Sequence, residues 1–327
     1  MTAGRSSTLA ILSDVHYAGP AEQARGDDFE FRHVTNPCLR IAFRAYRRFI
    51  WMRHPLRHSG QLDRLLAEVG EVDFAIANGD YSCGSGFIGL ADDAAFASAR
   101  EAIGKLRRRF GDRLRLTFGD HELGKLSFLG AQGGMRLKGW WRSVDDLGIE
   151  PLWQLELGRY ALIGVTSTLI ALPMFTADML PEEKPAWEKL RAEHLAQIRA
   201  AFARLAADRR VILFCHDPTA LPFLGREPEV AARLPQLEHT IIGHLHSNLY
   251  LRKSRLLAGM PVLNFLGPTP RKMTAALNQA RLWKPFNVKL CPSLAGIELL
   301  KDGGYFTVQL DADARQPARF VFHPLKR

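Results

Sequence analysis

The chain has 327 residues, 47 % hydrophobic and 24 % charged, a balance that excludes gross disorder and fibrous architectures and allows one large α/β domain or two smaller ones. Its four cysteines (Cys38, Cys83, Cys215, Cys291) form no CxxC pair, which excludes a disulfide scaffold and reads as reduced thiols of a cytoplasmic protein. The anomaly is charge: 44 basic against 34 acidic residues give a net +10, which points to an anionic partner.

In chain order, the opening MTAGRSSTLAILSDVH has no apolar segment followed by a small-residue cleavage site, so no signal peptide is expected. Its run Thr8 to Ser13 reads as a buried strand that ends in Asp14-Val15-His16. Residues 17–60 then form an insertion, longer than a strand-to-helix connection needs. Between Glu30 and Asp63 there is no acidic residue but there are seven arginines. Leu39, Phe43, Tyr46, Phe49 and Ile50 share one helical face, and Arg40, Arg44, Arg47, Arg48 and Trp51 the other. That is the pattern of an interfacial helix. The alternative is a helix packed on the core with a solvated basic face, and nucleic acid is the least favoured partner.

Leu62, Leu65, Leu66 and Val69 predict a helix that stops before Gly70, and Val72 to Asn78 a strand running into Gly79-Asp80. Phe96, Ile103, Leu106 and Phe110 mark a helix opened by Asp92-Asp93 and stopped by Gly111. Arg113 to Phe118 is a strand ending in Gly119-Asp120-His121-Glu122. The apolar stretch Ala161 to Phe175 is interrupted by Thr166, Ser167, Thr168 and Pro173 and is too short to span a bilayer. Leu169 to Leu180 reads as a loop whose apolar character calls for burial or contact with lipid. A helix with Leu195, Ile198, Phe202 and Leu205 on one face follows Glu182-Glu183. Two more strands run into His216-Asp217 and Gly243-His244-Leu245-His246. Arg271 to Cys291 alternates basic groups with apolar ones, including Trp283 and Phe286, and the tail reads as a hairpin around Gly303-Gly304 plus one further strand. Strands alternating with helices indicate a layered α/β fold, a mixed sheet or sandwich with helices outside.

The polar clusters at the strand ends carry the chemistry. Carboxylates and imidazoles together suit Mn²⁺, Fe or Zn²⁺, and strand ends are where an α/β fold places its ligand-binding groups. Their order, Asp14-x-His16, Gly79-Asp80, Gly119-Asp120-His121-Glu122, His216 and Gly243-His244-x-His246, resembles the signature of the calcineurin-like metallophosphoesterases across residues 14–246. The resemblance implies an α/β (α+β) four-layer β-sandwich flanked by helices, here with an inserted basic helical cap. It implies one domain over 1–327, with the cap at 17–60 and a C-terminal extension with closing strands at 248–327.

It also implies two divalent metal ions, with Mn²⁺ expected. Asp14, His16, Asp80 and His246 would hold the first, and Asp80, Asp120, His216 and His244 the second, so that Asp80 bridges. His121 would face the substrate as a catalytic group, and Glu122 would orient it. Asp120 departs from the signature, which has Asn there. An aspartate keeps the metal oxygen, loses the amide donor and adds negative charge, so tighter metal binding and slower chemistry are expected. Tyr17 and Ser82-Cys83-Gly84 stand where the Ser/Thr protein phosphatases carry glycine and Asp-Arg-Gly, so the chain does not resemble that branch.

The arginine-rich insertion and the apolar loops together read as a cap with an apolar groove and a basic rim, with Arg40, Arg44, Arg47, Arg48 and Trp51 as its substrate or membrane surface. In that character the chain is similar to the UDP-2,3-diacylglucosamine pyrophosphatases of lipid A biosynthesis. This implies a peripheral membrane enzyme on the inner face of the membrane, with an acylated, phosphorylated anionic substrate. The other readings are a soluble phosphodiesterase, a nuclease, or a non-catalytic metal-binding scaffold.

Overall fold

The structure, a computed structural model, describes residues 6–32, 34–125, 134–265 and 268–326; the sequence reading of residues 1–5 lies outside it. Ten strands are described: β1 (Ser7–Leu12), β2 (Phe74–Ala77), β3 (Leu114–Leu116), β4 (Leu152–Leu157), β5 (Tyr160–Val165), β6 (Arg210–Cys215), β7 (Leu237–Ile242), β8 (Val288–Leu290), β9 (Gly304–Leu310) and β10 (Arg319–Pro324). They form two five-stranded sheets, ordered β10-β9-β1-β2-β3 and β4-β5-β6-β7-β8. In the first, β1, β2 and β3 are parallel. In the second, β5 to β8 are parallel. Antiparallel strands complete one edge of each.

Side-chain alternation explains the layering. Leu9, Ile11 and Ile76 of the first sheet meet Leu162, Ile212, Phe214 and Ile241 of the second in one buried cluster. The intervening residues, Ala10, Leu12, Ala161, Ile163, Val211 and Leu213, belong to the core under the helices. Strands buried on both faces read as continuous apolar runs, as these do. The helices α1 (Pro37–Tyr46), α2 (Gly60–Glu68), α3 (Asp93–Phe110), α4 (Lys184–Ala203), α5 (Asn248–Leu256) and α6 (Pro268–Gln279) complete the sandwich and its margins. Asp92 caps α3 through the Ala94 and Ala95 amides, and Gly111 ends it at φ +54°. No described helix is long and apolar enough to cross a membrane.

One expectation is corrected and one open alternative is resolved. The tail hairpin does not turn at Gly303-Gly304; β9 begins there and turns to β10 only after Leu310. The glycines serve close packing instead, since a Cβ on Gly303 would lie 2.3 Å from the Leu294 carbonyl oxygen. The apolar stretch Leu169 to Leu180 is not lipid-facing: Leu169, Ile170, Ala171, Leu172, Phe175 and Met179 are all buried in the main core.

Candidate metal centre

Every parallel strand that the sequence ends in a polar cluster delivers it to the same edge of the sandwich. β1 is followed by Asp14 and His16, β2 by Asp80, β3 by Asp120 and His121, β6 by His216, and β7 by His244 and His246. Backbone bonds lock these loops together: Asp14 N–H donates to Gly79 O (3.1 Å), His16 N–H to Asp80 O (2.9 Å) and Gly243 N–H to His216 O (2.9 Å). Asp14, His16, Asp80, His244 and His246 all have φ between +45° and +58°. Left-handed backbone at five neighbouring non-glycine positions is strain concentrated at one place, a common mark of a functional site.

The side chains converge in four overlapping groups: Asp14 with His16 and His246, His16 with Asp80 and His121, Asp14 with Asp80 and His216, and Asp120 with His216 and His244. Asp80 thus lies between the two sets that the motif order separates. His16 Nε2 and His246 Nε2 are 3.0 Å apart. His216 Nε2 lies 3.2 Å from Asp80 Oδ2, and His246 Nε2 lies 3.3 Å from Asp14 Oδ1. Asp14 Oδ2 is buried with no hydrogen-bond partner among the described residues. Buried carboxylates and imidazoles that face one another with unused lone pairs fit divalent cations of the Mn²⁺, Fe or Zn²⁺ kind.

The electrostatics agree. Burial, then the neighbouring His121, holds the His16 imidazole down to about 3, and burial with His16 likewise lowers His246. Both rings are neutral at pH 7 and offer a lone pair. Burial opposes ionisation of Asp80, but His121 and His216 outweigh it and hold the carboxylate well below its usual range. Burial pushes Asp14 up to about 6 against the pull of His216.

His121 borders these groups with its ring partly open to solvent. Its amide donates to Asp80 Oδ1 (2.8 Å), and its Nδ1 lies 3.1 Å from the Ser82 carbonyl. Gly84 makes room for the ring: at φ +70°, a Cβ there would stand 2.6 Å from Nδ1. No hydrogen bond joins Glu122 to His121 among the described residues. The Glu122 carboxylate accepts the amides of Asp80 (3.0 Å), Tyr81 (2.9 Å) and Gly119 (2.7 Å). These three buried backbone donors let Glu122 splice the β2 and β3 loops, and the Ser82 carbonyl lies against His121 Nδ1.

The insertion reaches the site through Trp51. Trp51 packs at a tilt against His246 with ring centroids 4.4 Å apart and meets Tyr250 edge-on at 5.3 Å. The four arginines of its basic face are not equivalent. Arg44 is paired with Asp28 at 2.6 Å, and buried Arg47 with Glu30 at 3.1 Å and with the Asp27 carbonyl. These acids lie just before the acid-free segment, where a reading by segment does not see them. Arg40 and Arg48 form no ion pair among the described residues.

Sequence reasoning missed Lys125 and Asp217. Lys125 Nζ lies 2.8 Å from Asp120 Oδ2 and also contacts the Asp217 carboxylate. The available signal was position: each directly follows a motif, five residues after Asp120 and one after His216.

A scan against protein-family models finds no match, and a search of curated proteins finds no similar sequence. Solved structures do resemble this one. A dimetal phosphatase from Danio rerio is 12 % identical over 98 % of this chain and 97 % of its own, with a TM-score of 0.49. A phosphopantetheinyl hydrolase from Mycobacterium tuberculosis is 16 % identical over 74 % of this chain and 84 % of its own, at 0.37. A purple acid phosphatase from yellow lupin (Lupinus luteus) is 10 % identical over 74 % of this chain and 38 % of its own, at 0.34. The functional reading therefore rests on this chain's own side chains.

Proposed function

We propose that the chain is a dinuclear metal-dependent hydrolase of phosphoesters or pyrophosphates. The observation that carries this is the convergence of Asp14, His16, Asp80, Asp120, His216, His244 and His246 into overlapping ligand groups, with Asp80 between them. Two divalent cations held there would polarise a phosphoryl group and acidify the water that attacks it. His121, fixed by Asp80 and Ser82 at the open margin, is placed to stabilise charge or protonate the leaving oxygen. A non-catalytic scaffold has no use for a histidine so placed. The test is a Mn²⁺-reconstituted assay over bis-p-nitrophenyl phosphate, cyclic nucleotides, UDP-sugars and UDP-diacylglucosamine; no hydrolysis of any of them by metal-loaded protein would remove the proposal.

The finer reading is a diphosphate of an acylated sugar, UDP-2,3-diacylglucosamine, cleaved at an anionic membrane. Its support is the exposed apolar surface of the insertion and of α5. α1 has no buried residue. Ile41 is 66 % and Phe49 64 % exposed, and Leu256 on α5 is 84 % exposed. The Tyr46 and Tyr250 hydroxyls, 2.7 Å apart, tie α1 to α5. Exposed aliphatic and aromatic groups beside Arg40 and Arg48 suit a lipid surface. A soluble phosphodiester is the second reading, favoured by the pairing of Arg44 and Arg47 with acids. Preference for UDP-diacylglucosamine in liposomes over a soluble diester separates the two.

A further inference from the structure

Beside the metal centre lies a buried charged group that the proposed chemistry leaves unused. The single helical turn Asp120–Leu123 ends at Gly124 with φ +73°, and the reversal returns Lys125 to the start of the turn. The Lys125 side chain is only 5 % exposed, and its ammonium lies 2.8 Å from Asp120 Oδ2. It also contacts the Asp217 carboxylate and stands 4.8 Å from the centre of the Phe175 ring. Asp217 is itself fixed, since its Oδ1 accepts the Thr219 amide at 2.8 Å. Asp120 meanwhile faces the metal side, with Oδ2 2.5 Å from His244 Nδ1. One carboxylate therefore touches both a candidate ligand and a permanently placed cation.

A buried ammonium is tolerated only where carboxylates compensate it, and a buried carboxylate only where a cation or donors do. Here the two requirements meet at the position where the sequence departs from its signature. A neutral amide ligand would bring one metal oxygen, one N–H donor and no charge. Asp120 alone brings the oxygen and a negative charge that would repel an anionic substrate. Asp120 with Lys125 brings the oxygen and N–H donors, and the ammonium, shared with Asp217, offsets much of the added charge.

Resting on the hydrolase reading, we infer that Lys125 is a positioning residue. It holds the Asp120 carboxylate toward His244 and His216 and offsets its charge, so that the pair stands in for the neutral amide. The expectation of slow chemistry from Asp120 alone is thereby reversed. The carboxylate and the lysine are matched, and changing either one by itself is harmful.

A double-mutant cycle on the full-length, Mn²⁺-loaded protein tests this, using Lys125→Met, Asp120→Asn, both together, and Lys125→Arg. Three quantities are read: Mn²⁺ affinity by equilibrium dialysis, melting temperature without metal, and turnover of bis-p-nitrophenyl phosphate. Lys125→Met alone should tighten Mn²⁺ binding about tenfold and lower turnover about tenfold or more. In the Asp120→Asn background it should change either by less than about threefold, and Lys125→Arg should keep most of the wild-type behaviour. Equal effects of Lys125→Met in both backgrounds, or none in the wild type, overturn the inference. Should Lys125→Met alone fail to fold, recovery of folded protein on adding Asp120→Asn supports the pair, and no recovery contradicts it. Affinity and melting do not depend on turnover, so a chain that hydrolyses nothing would sink the hydrolase reading while leaving the cycle decisive.

Discussion

Two residues of the Gly119-Asp120-His121-Glu122 cluster separate chemistry from scaffolding. His121 stands at ligand distance from His16 and Asp80, but its ring lies at the open margin with Nδ1 on the Ser82 carbonyl, so His121→Ala should keep its metal and lose ~10²–10⁴ in rate. Metal analysis of that variant checks the assignment, because loss of an ion would make His121 a ligand. Glu122 carries backbone instead. Glu122→Ala would strand the amides of Asp80, Tyr81 and Gly119, at about 1–3 kcal/mol for each buried donor left unmatched. Urea unfolding should show a loss of several kcal/mol. A variant as stable as wild type would mean that water reaches these amides. Asp80→Ala should cost at least one of the two ions and nearly all hydrolysis, since Asp80 shares groups with both ligand sets. Full metal content in that variant would show that Asp80 does not bridge.

Elements differ in how plainly their residues announce them. β6 spans the expected residues, and α3 starts and stops where Asp92 and Gly111 place it, because local capping and apolar runs decide both. The β4–β5 hairpin around Gly158 was not legible: its second strand lies in the long apolar run Ala161 to Phe175, where period alone does not divide strand from loop. The candidate metal ligands are legible as a set because their clusters stand at the ends of apolar runs. The partners of Arg44 and Arg47, and Lys125 beside Asp217, were not, since only the tertiary fold joins them.

α4 supplies a prediction of its own. Burial pushes its His194 down to about 3, and the ring Nε2 accepts the Thr166 amide at 3.1 Å. A histidine whose folded pKa is depressed stabilises fully above its unfolded value near 6.5 and loses that contribution as the pH falls toward 3. At pH 5 the loss from this residue should reach about 2 kcal/mol. His194→Gln, which keeps an acceptor but cannot titrate, should flatten unfolding free energy against pH by about that amount. An unchanged slope would place the acid sensitivity elsewhere.

At the scale of the whole molecule, the two sheets bring the C-terminal ends of their parallel strands to a common edge, and the insertion borders that edge through Trp51. The net charge of +10 does not by itself make a membrane surface, and two arginines of the insertion, Arg44 and Arg47, are paired with acids of the same segment. Arg40→Gln and Arg48→Gln with Ile41→Ser and Phe49→Ser should release the protein from anionic liposomes, at ~1 kcal/mol per arginine plus the lost apolar burial. Cleavage of a small soluble diester should persist. Unchanged sedimentation would leave the soluble diester as the preferred substrate.

If two metal ions on these seven side chains support hydrolysis of a phosphoester bond, activity must follow metal occupancy. The most direct measurement is a titration of metal-free protein with Mn²⁺, following bis-p-nitrophenyl phosphate hydrolysis against bound metal. The account predicts that hydrolysis rises with the second equivalent and saturates at two ions per chain. Saturation at one ion, or two bound ions with no hydrolysis, would contradict it.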